Sequence, residues 1–160
     1  MTDVDDAITQ LRIVCQKAVD AEARRDRAHA TRRRILESSW PALHPLGYKL
    51  IAAQVGPTVT ASTMRSMARG LEPRPPRGPR FSPTINANQR AAIDSLREAC
   101  AGVADAEKAH KEALNARHFT IRRLWPVLSE LGPAKVARSV GDRLVGESTI
   151  RQAVADLQRA

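Results

Sequence analysis

An all-α fold is predicted for this chain of 160 residues. Three observations carry the expectation. Apolar residues recur three and four apart, which places them on one face of a helix and departs from the strict alternation of a half-buried strand. Glycine is sparse while alanine and leucine are common. The sequence also repeats itself, and each copy holds the same succession of helical segments.

A shift of 85 positions aligns the halves. Ala7, Ile8, Leu11, Arg12, Cys15, Asp20, Ala21 and Glu22 match Ala92, Ile93, Leu96, Arg97, Cys100, Asp105, Ala106 and Glu107. Arg32, Trp40, Pro41, Leu43, Leu46 and Gly47 match Arg117, Trp125, Pro126, Leu128, Leu131 and Gly132. Ala52, Val55 and Gly56 match Ala137, Val140 and Gly141. One added residue then moves the shift to 86, and Ser62, Thr63, Arg65 and Leu71 match Ser148, Thr149, Arg151 and Leu157. The expected layout is two tandem repeats, with residues 1–70 and 89–160 as modules and 71–88 as a Pro/Arg-rich linker.

Each module opens with a long helix. Val4, Ile8, Leu11, Cys15 and Ala18 form one stripe, and Ile93, Leu96, Cys100 and Val103 form its counterpart. Asp3, Asp5 and Asp6 favour the positive end of the first helix. Beyond Glu22 the stripe thins into a charged shaft through Arg24, Arg25 and Arg27 to Arg32–Arg34. The stripes have the heptad spacing of a helix pair. They are expected to pack on each other, on a second copy of the chain, or over their own modules.

Trp40-Pro41 and Trp125-Pro126 are expected to stop the long helices, because proline biases the residue before it away from the helical region. Short helices should follow, over 41–46 and 126–131, with the tryptophans as core anchors. Gly47 and Gly132 then suit left-handed helix ends. Two further short helices close each module, over Lys49–Leu71 and Lys135–Leu157. Gly56 ends the first of each pair, and Thr60 and Gly146 are the expected N-caps of the second. Met64, Ala68 and Leu71, and likewise Ile150, Val154 and Leu157, should face inward.

The linker holds Glu72-Pro-Arg-Pro-Pro-Arg-Gly-Pro-Arg80. Such proline density predicts an extended segment. It is either a solvated spacer or a basic arm that lays Arg74, Arg77 and Arg80 along an anionic partner.

Charge narrows the partner. The net charge is +9 and the isoelectric point about 10.7. Residues 1–80 carry 14 Lys and Arg against 8 Asp and Glu, and residues 81–160 carry 12 against 9. Such an excess favours a polyanion, nucleic acid before membrane. Five scattered aromatic residues make no stacking platform for single strands. No apolar run is long enough to span a bilayer. The acidic start lacks the pattern of a secretion signal, so a cytoplasmic protein with reduced Cys15 and Cys100 is expected. No catalytic or metal site is expected. His29, His44, His110 and His118 do not recur in the repeat, no phosphate-binding glycine loop is present, and no cofactor is implied.

The paired short helices carry a more specific signal. Ile51-Ala52-x-x-Val55-Gly56 with Ser62-Thr63-Met64-Arg65, and Val136-Ala137-x-x-Val140-Gly141 with Ser148-Thr149-Ile150-Arg151, resemble the bacterial and phage helix-turn-helix family. The resemblance implies binding of double-stranded DNA. In its terms the second helix of each pair presents Ser62, Thr63, Arg65, Ser66 and Arg69, or Ser148, Thr149, Arg151 and Gln152, to the major groove. Arginine can pair with guanine and glutamine with adenine through two hydrogen bonds. Arg65 and Arg151 either read bases this way or contact phosphates. The turns, five and six residues between glycine and serine, exceed the family's usual spacing, which implies a wider angle between the helices or a wing-like loop. Two modules would suit two half-sites about 34 Å apart. The implied role is a transcriptional regulator or repressor. The alternatives are a plasmid or phage accessory factor, and a helical assembly protein whose long helices self-associate.

Overall fold

The computed structural model describes residues 3–76, 84–155 and 157. The described residues are helical or irregular, with no strand. In chain order the helices are α1 (Val4–Leu43), α2 (Tyr48–Val55), α3 (Ala61–Met67), α4 (Ala87–Leu128), α5 (Gly132–Val140) and α6 (Glu147–Val154). One-turn 3-10 helices, His44–Leu46 and Ser129–Leu131, follow α1 and α4.

The compact units do not follow chain order. One is built from Met1–Arg25 and Ala106–Ala160, the other from Asp26–Asp105. Each therefore takes the start of one long helix, the end of the other, and one pair of short helices. In the first unit Ala7, Ile8, Leu11 and Cys15 of α1 share a core with Ile121, Leu124, Trp125 and Leu128 of α4 and with Val136, Val140, Ile150 and Val154 of α5 and α6. In the second, Ile93 and Leu96 of α4 join Leu36, Trp40 and Leu43 of α1 and Ile51, Val55 and Met64 of α2 and α3. Each apolar stripe thus covers the short helices of the other half of the sequence. Side chains bridge the two long helices within each unit: Arg123 donates to Gln10 at 2.8 Å, and Gln89 donates to the Ala42 carbonyl at 3.3 Å.

The Trp-Pro pairs do not stop the long helices. Pro41 and Pro126 lie inside α1 and α4, two residues before their ends. Each forfeits one backbone hydrogen bond. The neighbouring Trp40 and Leu43, and Trp125 and Leu128, are buried, and that burial holds the last turn in place. Only one 3-10 turn follows where a longer separate helix was expected. Gly47 (φ 81°, ψ 152°) and Gly132 (φ 74°, ψ 158°) then reverse the chain. Their φ is positive as expected, but their ψ lies in the region essentially reserved for glycine, away from the left-handed helix.

The turns between the short helices are fixed by the expected Thr60 cap and by two valines without an assigned role in the sequence. Thr60 Oγ1 accepts the Thr63 N–H at 3.1 Å, as an N-cap should. The residues before the caps, Val59 and Val145, are buried in the same cores as Met64 and Ile150. Those positions, one before the cap and four after it, form a hydrophobic staple. Of the turn residues Val59 and Val145 are drawn inward while Pro57, Thr58, Asp142 and Arg143 stay exposed, and no wing-like strand occurs among the described residues.

Two ends differ from expectation. α3 stops at Met67, and Leu71 is half-buried beyond it. Leu157, expected inside, is 42% exposed. The linker ends sooner than expected too, since α4 already includes Ala87 and Asn88. Asn86 and Gln89 bond each other's backbone N–H, at 2.8 and 3.0 Å, a reciprocal cap that starts the helix early.

Candidate functional site

A cleft of about 710 Å³ opens beside α3 in the unit Asp26–Asp105. Ser62, Arg65, Ser66, Arg69 and Arg74 line it, with Gly47, Tyr48 and the prolines Pro75 and Pro76. None of these lining residues is acidic. Met64 and Ala68 anchor the opposite side of α3 in the core, so the five polar side chains are left exposed. Arg69 does not ride on the helix. It lies in the turn after Met67, where Arg69 N–H bonds the Ser66 carbonyl at 3.3 Å and Gly70 follows at φ 82°. Arg33 of α1 donates to the Met67 and Arg69 carbonyls, at 2.9 and 3.3 Å, and fixes that end.

Arg65 is held from below. Its guanidinium sits 5.7 Å from the centroid of the Tyr48 ring, an interaction of about 0.5–1 kcal/mol at an exposed site. Tyr48 stacks in turn on Trp40, with centroids 6.0 Å apart. Trp40 also donates its Nε1–H to the Pro73 carbonyl at 3.0 Å, which ties the connector to α1. The sequence reading treated Trp40 as a core anchor and passed over Tyr48. The available signal was the indole N–H, which needs a partner when the ring is buried.

No protein-family model matches the chain, and neither a curated protein nor a solved structure shows significant similarity to it.

The remaining site residues divide. Thr63 is exposed on α3, but its hydroxyl is engaged by Thr60 at 2.9 Å and it does not line the cleft. Arg77 and Arg80 lie outside the described residues. Ser148, Arg151 and Gln152 are exposed on α6 and Thr149 is half-buried. These belong to the other unit. There Arg151 Nε donates to Glu147 at 2.7 Å, in direct hydrogen-bond contact, so its guanidinium is engaged by its own helix. The position matching Tyr48 is Pro133, which offers no ring.

Two arginines from the long helices support both pairs of short helices. Arg12 donates to the carbonyls of Ser139 and Val140 at 2.7 and 3.3 Å, and Arg97 donates to the Gln54 carbonyl at 2.6 Å. Each cation meets the negative end of a short helix, α5 or α2. Burial pushes the Cys15 thiol up to about 11, against the pull of Arg117, and raises Cys100 in the same way against Arg32. Both thiols are therefore poor nucleophiles. Among the described residues no group of three or more His, Cys, Asp and Glu could hold a metal ion, and no helix is long and apolar enough to cross a membrane.

Proposed function

We propose that the chain binds double-stranded DNA sequence-specifically through two linked helix-turn-helix modules and acts as a transcriptional regulator or repressor. One observation carries the reading. The short helix α3 exposes Ser62, Arg65 and Ser66 beside Arg69 and Arg74, in a cleft with no acidic lining residue, although Glu72 lies 3.4 Å from Arg74. Guanidinium groups suit both guanine edges and phosphates. Neutralised phosphates release counterions, so affinity must fall with salt. In this reading α6 is the weaker partner, because Glu147 occupies Arg151. The two halves are then copies of one unit. The paired contacts of Arg12 and Arg97, at positions that match in the sequence, support a common origin.

A duplex titration tests the proposal. Fluorescence anisotropy between 50 and 200 mM salt should show about a thousandfold loss if some six phosphates are engaged. A flat response, or no binding to any duplex, would remove DNA as the partner.

A second reading has its own support. Ile13 is 52% exposed and Phe119 is 68% exposed, both within one unit. Such apolar surface on the long helices favours self-association of the chain, and sedimentation of the wild type against Phe119→Ser would reveal it as a lower mass for the variant.

A further inference from the structure

The sequence separates α3 from the connector: a helix for base edges, an arm for phosphates. Trp40 joins them. Its Nε1–H holds the Pro73 carbonyl at 3.0 Å, and the next residue, Arg74, lines the same cleft as Arg65 and Arg69. The Trp40–Tyr48 stack meanwhile supports the Arg65 guanidinium. One tryptophan thus sets both walls.

We infer that the segment Leu71–Pro76 is the second wall of the α3 site, so that Arg65, Arg69 and Arg74 form one seat for a phosphate diester, with Trp40 and Tyr48 as its positioning residues. The chemistry fits such a ligand. Three guanidinium groups offer planar forks of donors, and Ser62 and Ser66 offer hydroxyls to remaining oxygens. Glu72 is 3.4 Å from Arg74, but both side chains are more than two-thirds exposed, so water screens that pair and leaves Arg74 available to an anion. The seat also differs from a free basic arm. An arm would meet phosphates wherever it swung, whereas a wall fixed beside α3 meets the strand that α3 docks on. That the diester belongs to duplex DNA rests on the function proposed above. The seat itself does not.

The test therefore uses inorganic phosphate. Arginine side-chain Nε–H signals are followed by NMR in the full chain at constant ionic strength. Arg65, Arg69 and Arg74 should move along one curve. Its midpoint should lie about tenfold below that of the exposed Arg24 and Arg90, the worth of one charge-assisted hydrogen bond. Tyr48→Ala should take Arg65 off that curve, and Tyr48→Phe, which keeps the ring, should restore it. Equal movement of all arginines would mean an adventitious ion only and would overturn the seat. So would an Arg74 midpoint unrelated to that of Arg65, or an Arg65 response indifferent to Tyr48→Ala. Phosphate binding at the seat in a chain that binds no duplex would uphold the seat and sink the DNA reading, which keeps the two failures apart.

Discussion

At the scale of single residues, matched positions differ in what surrounds them. Arg65 and Arg151 align, yet Arg65 lies over an aromatic ring and Arg151 is paired with Glu147. The same guanidinium is an available donor in one setting and engaged by its own helix in the other. Arg65→Ala should therefore weaken a specific and a scrambled duplex alike, by about tenfold, as the loss of one charge-assisted phosphate contact does. Arg151→Ala should change either by less than about threefold, in line with a surface ion pair. Competition anisotropy measures both, and a loss confined to the specific duplex would make Arg65 a base reader and take it out of the phosphate seat. That pairing is local, because Glu147 stands four residues before Arg151 on one helix. The ring under Arg65 was not legible in the sequence, because Tyr48 is seventeen positions away and nothing local announces the stack.

At the scale of elements, helix ends decide where functional side chains stand. Thr60 caps α3 with its hydroxyl, whereas Gly146 starts α6 with no side chain to offer. Gly146 lies in extended backbone at φ −84° and ψ 156°, which any residue can adopt, and a β-carbon there would meet only Ser148 Oγ at 3.8 Å. Gly146→Ser should thus raise stability by a few tenths of a kcal/mol, while Thr60→Ala should lower it by about 1 kcal/mol. Urea unfolding followed by circular dichroism checks both signs. A neutral Thr60→Ala would mean that the cap is redundant with the Val59 staple. The Thr60 cap was readable because its chemistry is local. The Trp-Pro stops were misread because proline's local preference lost to the buried side chains on either side of it, a tertiary effect.

At the scale of the whole molecule, helical class was legible from periodicity. The partition of the cores was not. Heptad spacing says that a stripe needs a partner and leaves the partner unnamed, and the structure gives each stripe to the other half's short helices. Leu11→Ala, which removes a wholly buried side chain, should cost about 2–5 kcal/mol. Hydrogen exchange should then quicken in α5 and α6 and leave α2 and α3 protected. Faster exchange in α2 and α3 instead would restore a core built in chain order. The central claim is that this scaffold presents basic side chains to duplex DNA and reads its sequence. Selection of bound duplexes from a random pool tests it most directly. The predicted result is a single enriched site, recovered in lower yield when Arg65→Ala protein is used. A pool that emerges unenriched with the wild-type chain would contradict it.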